Sequence, residues 1–201
     1  MKIIKNPSPN FENRPPSVSV NLLLFHYTGM KSASEAMARL CSPKSKVSAH
    51  YLIDEVGNIF SLVEENKRAW HAGVASWNDD VDINNISVGI EISNPGHEFG
   101  YSKYPERQMI AVEALSIDII KRHSIRAARV LGHSDVSPSR KCDPGELFDW
   151  ERLAAAGIGI WPKISPVSVN FEIGSIRQCQ KQLKMIGYSL KITGVLDELT
   201  R

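Results

Sequence analysis

The sequence predicts a mixed α/β chain, and three observations carry that prediction. Leu22-Leu23-Leu24-Phe25-His26-Tyr27 is a short apolar run of the kind a buried strand requires. Residues 87–93 alternate, with Val88, Ile90 and Ile92 on one face and Gly89, Glu91 and Ser93 on the other. Met109, Val112, Leu115 and Ile119 recur at spacings of three and four, which makes an amphipathic helix from Pro105 to about His123.

The remaining elements follow in order. Residues 1–20 are polar and rich in proline, and read as an extended N-terminal segment. Thr28-Gly29 ends the first strand, and Ser32-Ala33-Ser34-Glu35 is a capping-box pattern that opens a helix through about Leu40. Residues 47–53 and 59–63 read as a hairpin turning at Glu55-Val56-Gly57-Asn58. Trp70-His71-Ala72-Gly73 begins a long loop rich in Asn and Asp. Residues 128–132 form a short strand that delivers His133, and residues 150–156 another helix. These elements define one domain over 21–160. Pro162 and Pro166 then mark a linker over 161–170. From Phe171 the character changes. Ser175 caps a helix whose face is Ile176, Cys179, Leu183 and Ile186, closed by Gly187, and Asp197 marks the start of another helix. The stretch 171–201 is shorter than the ~40 residues at which a module usually stands alone, so it reads as the start of a second domain.

Composition narrows the function classes. The chain has 24 basic and 22 acidic residues, a net charge of +2, and no basic block, which argues against nucleic acid as a partner. Its three cysteines are widely spaced and form no CxxC, so no disulfide framework is expected. No apolar run approaches the ~18 residues of a membrane span. Lys2 and Lys5 are followed by Asn6, Pro7 and Pro9 rather than by an apolar stretch, so the sequence as it stands carries no signal peptide.

The chemistry concentrates in the Pro/Ser/Gly-punctuated loop that runs from Gly132 to Gly145 and carries His133, Lys141 and Asp143. A hydrolytic zinc site needs three protein ligands and an open position for water. His26, at the end of a buried strand, supplies the third ligand beside His133 and Asp143. Cys142 competes with Asp143, since a thiolate also binds zinc well, and adjacent residues do not both face one ion. Glu91 lies on the polar face of its strand, where a partly buried carboxylate beside a metal can accept a proton from water. Lys141 can hold the oxyanion of a tetrahedral intermediate. His97 and His123 read as structural.

Five motifs occur in order: FHYTG around His26, SAHYLIDEVGNIFSLV, RAWHAG, ISVGIEISN, and GHSDVSPSRKCDPGELFDW. Together they resemble the zinc-dependent N-acetylmuramoyl-L-alanine amidases of the type 2 amidase family, over about residues 20–160. The resemblance implies a central mixed β-sheet flanked by helices. It implies cleavage of the amide between the lactyl group of N-acetylmuramic acid and L-alanine of the stem peptide, with peptidoglycan or muropeptide fragments as partners. By motif match, one Zn²⁺ is held by His26, His133 and Asp143, Glu91 is the base, and Lys141 stabilises the transition state. Asp143-Pro144-Gly145 fits the carboxylate version of the last motif, which sets Cys142 aside. Phage members of the family place a Tyr before the histidine of the second motif. Ala49 stands there in this chain, which leaves Glu91 as the evident base and His50 and Tyr51 as strand packing. Trp70, His71 and Ala72 are expected to line the substrate groove. IRQCQKQLKMIGY and ITGVLDELT resemble the start of a small helical peptidoglycan-binding module, which points to the cell envelope or the exterior, whereas the missing signal peptide points to the cytoplasm. A non-catalytic peptidoglycan-recognition protein on the same fold is the rival reading, but such a binder would typically have lost a metal ligand. A zinc peptidase has no HExxH to support it.

Overall fold

The computed structural model describes residues 1–162 and 174–201. Most of the expected linker, and residues 171–173 of the expected second domain, lie outside the described residues. The elements are β1 (Ile3–Lys5), β2 (Phe11–Asn13), β3 (Leu22–Tyr27), α1 (Ala33–Leu40), β4 (Tyr51–Ile53), β5 (Ile59–Ser61), β6 (Lys67–Ala69), α2 (Ile83–Ile86), β7 (Ser87–Ile92), α3 (Gly96–Phe99), α4 (Glu106–His123), β8 (Val130–Gly132), α5 (His133–Val136), α6 (Trp150–Ala155) and α7 (Ile176–Ile186). One sheet runs in the order β1-β5-β4-β7-β3-β8, and β2 pairs with β6 in a separate antiparallel ribbon. Within the large sheet β4 and β5 pair antiparallel, and the other neighbours are parallel.

Parallel strands need cover on both faces, and the sequence supplies it. Leu23, Phe25, Val88, Ile90 and Ile92 face α4, where Met109, Val112, Leu115 and Ile119 complete the main core. Leu22, Leu24 and Leu131 turn the other way, against Ile83 and Ile86 of α2 and Ala72 and Trp77 of the loops. Further along that second face, Ala36 and Leu40 of α1 pack on Leu52 and Leu62. Leu22, Leu23, Leu24 and Phe25 are all fully buried, each contributing about 1.5–3 kcal/mol relative to exposure. α1 begins as expected, with Ser32 accepting from the Glu35 N–H.

Several elements differ from the sequence reading. The N-terminal segment is extended, but it is part of the fold. β1 extends the sheet beside β5, and Asn10 donates to the carbonyls of Ser42 and Val47. The expected strand from 47 narrows to Tyr51–Ile53, because Ser48 bonds instead to the Trp70 carbonyl and, through its hydroxyl, to the Asn10 carbonyl. Its partner strand ends at Ser61, since the Leu62 N–H turns to the His50 carbonyl. Pro105 stands at the N-cap of α4 rather than in its first turn. The Asn/Asp-rich loop contains α2, and β8 starts only at Val130 after a single 3-10 turn. In the C-terminal segment α7 forms and Gly187 closes it, but Ile186 of its expected face is 61% exposed. Asp197 accepts the Thr200 N–H in a turn, not a further helix. Gln180 anchors this segment, fully buried and bonded to Thr193, Val195 and Thr200. Tyr188 reaches the main domain, packing edge-on against Trp77 and donating to Asp135.

Glu65 ties the β5–β6 connection to α4. Tyr51, Arg122 and His123 all bond its carboxylate. Burial alone would raise its pKa, but hydrogen bonds from Arg122, Tyr51 and His123 outweigh that and bring it to about 2. Because the folded-state value is depressed, the stabilisation is present above the ordinary value of 4.5 and is lost as the pH falls towards 2. Glu65→Gln should therefore lower stability by about 1–3 kcal/mol at pH 7. In urea titrations the gap between variant and parent should close as the pH falls from 4.5 to about 2. A gap that stays constant over that range would contradict this account.

Candidate metal centre and active site

The site is built on strand register. β3 and β7 run parallel with His26 directly opposite Glu91, and β4 places Leu52 on the other flank of Glu91. Paired residues point to the same face, so His26 and Glu91 emerge together near the C-terminal ends of their strands. β8, on the far side of β3, ends at Gly132, and His133 follows at once as the first residue of α5. The three strands thus deliver their polar side chains to one end of the sheet, where open parallel sheets place their ligand sites.

Asp143 returns to the same point because its loop is fixed at several places. The Ser134 N–H donates to the Asp143 carbonyl at 2.9 Å. Tyr101 and Tyr104 both donate to the Pro144 carbonyl at 2.7 Å. Arg140 reaches across to the carbonyls of Ala72 and Val74. As a result His26 Nδ1 and His133 Nδ1 lie 2.9 Å apart, and each is 3.1 Å from Asp143 Oδ2. All three residues are buried.

Proton counting shows that this cluster fits a cation. His133 Nε2 lies 2.9 Å from the Ala72 carbonyl, which can only accept, so that nitrogen carries a proton, and in the neutral ring Nδ1 presents a lone pair. It faces a second imidazole nitrogen and a carboxylate oxygen. Burial, and then the neighbouring His133 imidazole, lower His26 to about 4, which keeps it neutral at neutral pH. Burial opposes the ionisation of Asp143, but its contacts with His133 and His26 hold its carboxyl well below the ordinary range. Two imidazoles and one carboxylate, their ligand atoms within 4.8 Å of one another, could hold a metal ion.

A cleft of about 580 Å³ opens over the cluster, lined by His26, His133, Asp143, Glu91, Lys141, Trp70 and His71 among others. Glu91 Oε2 is buried without a hydrogen-bond partner, and burial, then the nearby Asp143 charge, push its carboxyl well above the ordinary range, with Lys141 opposing. The structure therefore brings together His26, His133, Asp143, Glu91, Lys141, Trp70 and His71. Ala72 does not belong with them. Its side chain is fully buried in the core, and its contribution is the carbonyl that holds His133 and Arg140. Cys142 is exposed and faces Tyr27 and His97, away from the ligand atoms. His50 is buried, and its Nδ1 accepts the Gly89 N–H.

A match to the family model for N-acetylmuramoyl-L-alanine amidases covers residues 15–146. The chain is also 35% identical over 161 residues to N-acetylmuramoyl-L-alanine amidase AmiD of Escherichia coli. The chain belongs to the N-acetylmuramoyl-L-alanine amidase family. The AmiD match takes in 74% of this chain and 57% of AmiD, so the chain spans little more than half the length of that relative. The chain is 32% identical over 167 residues to 1,6-anhydro-N-acetylmuramyl-L-alanine amidase AmpD of Haemophilus influenzae, over 74% of its own length and 89% of AmpD. Its fold superimposes with a TM-score of 0.78 on AmiD of Escherichia coli solved with anhydro-N-acetylmuramic acid-L-Ala-D-gamma-Glu-L-Lys, at 31% identity, over 89% of this chain and 76% of that one. AmpDh3 of Pseudomonas aeruginosa, solved with an anhydromuramic pentapeptide, gives 0.79 at 28% identity, over 90% and 88% of the two chains.

Arg39 and Gly89 are among the contributors to the site that sequence reasoning missed. Arg39 of α1 lines the cleft, and nothing in its helical context marks it. Gly89 is legible in retrospect: a glycine inside an alternating strand signals a close approach. A Cβ there would lie 2.5 Å from His71 Nδ1 and 2.6 Å from its Cγ. Gly89→Ala should displace the His71 ring and destabilise the fold by about 1–3 kcal/mol, measured by chemical denaturation. A stability change near zero would show that the ring has room to move.

Proposed function

We propose that this protein is a zinc-dependent amidase that hydrolyses the bond between the lactyl group of N-acetylmuramic acid, in its anhydro or reducing form, and L-alanine of the stem peptide. The observation that carries the reading is the convergence of His26 Nδ1, His133 Nδ1 and Asp143 Oδ2 beside the unpartnered Glu91 oxygen in one cleft. The AmiD and AmpDh3 structures, solved with anhydromuramyl peptides, support this substrate class.

His26, His133 and Asp143 would hold the zinc. When bound, zinc supplies a Lewis acid for the amide carbonyl and lowers the pKa of water. Glu91 Oε2 takes the proton from the attacking water. It passes that proton to the alanine nitrogen as the C–N bond breaks, and a carboxyl held well above its ordinary range is suited to the second half of that exchange. Lys141, on the cleft wall, places positive charge where the carbonyl oxygen becomes anionic. Trp70 presents an aromatic wall to sugar or peptide, with its indole nitrogen held by Glu12. We further propose that residues 171–201 belong to a wall-binding module. In support, Met185, Ile186, Leu196 and Leu199 leave apolar surface exposed on the described part of this segment.

The test is digestion of purified muropeptides, in anhydro and reducing forms, read by mass spectrometry. Intact stem peptide should be released, a chelator should abolish release, and zinc should restore it. Binding without cleavage would favour a recognition protein, and cuts inside the stem would favour a peptidase. His26→Ala and Asp143→Ala should lose zinc. Glu91→Gln should keep zinc and lose turnover by about 100- to 10,000-fold. Near-normal turnover in Glu91→Gln would remove it as the base.

A further inference from the structure

His71 was expected to contact substrate, but its ring is committed elsewhere. His71 Nδ1 lies 3.0 Å from His26 Nε2, on the side of His26 opposite to the ligand cluster. His71 Nε2 lies 3.3 Å from the Ser87 hydroxyl oxygen. That hydroxyl already donates to the Ile83 carbonyl at 2.6 Å. A hydroxyl has one proton, so Ser87 can only accept from His71. His71 therefore carries its proton on Nε2 and offers a lone pair at Nδ1. His26 must then donate from Nε2, and its Nδ1 faces the cluster as a lone pair.

We infer that Ser87 and His71 form a fixed relay that sets the tautomer and ring orientation of His26, making His71 a positioning residue for the metal and not a substrate contact. The surroundings support this assignment. The backbone N–H groups of His71 and Ala72 both donate to Asn84 Oδ1, at 3.1 and 2.9 Å, so the His71 backbone is pinned. Gly89 leaves open the space the ring occupies. His50 packs edge-on against the other side of the ring at 5.5 Å. Ligating histidines usually donate their second N–H to a carboxylate or a carbonyl. His133 does so, to Ala72. His26 instead donates to a neutral imidazole, whose acceptor exists only while Ser87 holds the proton on the far nitrogen.

The inference rests on the zinc reading, and the experiment separates the two. The probe is Zn²⁺ alone, titrated into the full chain against a chromophoric chelator. His71→Phe keeps a ring of similar shape and removes the acceptor, and should weaken zinc binding by about 10- to 100-fold. His71→Asn places an amide oxygen near the position of Nδ1 and should recover affinity to within about threefold of the parent. Equal zinc affinity in His71→Phe and the parent would overturn the relay, as would equal losses in the Phe and Asn variants. Failure of the parent to bind zinc would overturn the zinc reading instead. Long-range ¹H–¹⁵N spectra of the unsubstituted, zinc-free chain supply a test that needs no variant. They should show both His71 and His26 protonated at Nε2, and a His71 protonated at Nδ1 would overturn the relay directly.

Discussion

Parallel pairing of Leu22–Tyr27 with Ser87–Ile92 sets His26 beside Glu91, and the placement of the remaining groups depends on it. The side-chain period of a strand is two, so a slip of one residue in either strand would send its polar group into the α4 core and an apolar group into the cleft. The slip is blocked from both sides. Leu23, Phe25, Val88, Ile90 and Ile92 fill one face, and Leu22 and Leu24 the other. The apolar residues thus hold the register, and the register decides which polar atoms meet. In this sense the hydrophobic effect determines the geometry of the site more than the polar groups do themselves.

That geometry is expensive when considered without a cation. Three groups are buried within 3.1 Å of one another, and with both imidazoles neutral and the carboxylate ionised all three inner atoms present lone pairs. Buried polar groups normally find partners. Here the outer nitrogens of both histidines are fully satisfied, by Ala72 and by His71, while the inner atoms converge on a common point. The satisfied outer contacts and the underprotonated centre have one explanation together. The hydrogen bonds fix the outer nitrogens, and the inner atoms are left in an arrangement that could hold a metal ion.

Much of this was legible in the sequence, for reasons that can be traced. The strand at 22–27 and the alternation at 87–92 were visible because burial imposes a period, and they carried His26 and Glu91 to the correct places. Ser32 was visible as a cap because its hydroxyl does local work that spacing reveals. What escaped was non-local. The fate of 47–50 was decided by Asn10 and Ser48, which bond across more than thirty residues of sequence. Ala72 was grouped with Trp70 and His71 because the three are adjacent, yet the chain turns there and buries the methyl group while exposing the carbonyl to His133 and Arg140. Of the two residues Cys142 and Asp143, spacing alone could not say which faced inward; the tether from Ser134 to the Asp143 carbonyl decides it.

The loop from His133 to Asp143 shows how a flexible segment is made to act as a rigid one. Ligands ten positions apart on an unconstrained loop would lose much conformational freedom on closing around an ion, and that loss would weaken binding. Here the loss is taken at folding. Tyr101 and Tyr104 hold Pro144, Arg140 holds the carbonyls of Ala72 and Val74, and Asp135 accepts the Gly132 N–H at the base of the loop. Two of these contacts, Arg140 and the His133 imidazole, end on the carbonyl of Ala72, the residue next to His71. The segment 70–74 therefore braces the candidate metal centre from both sides, His133 through its backbone and His26 through the His71 ring, so that both histidines are held by a single short stretch of chain.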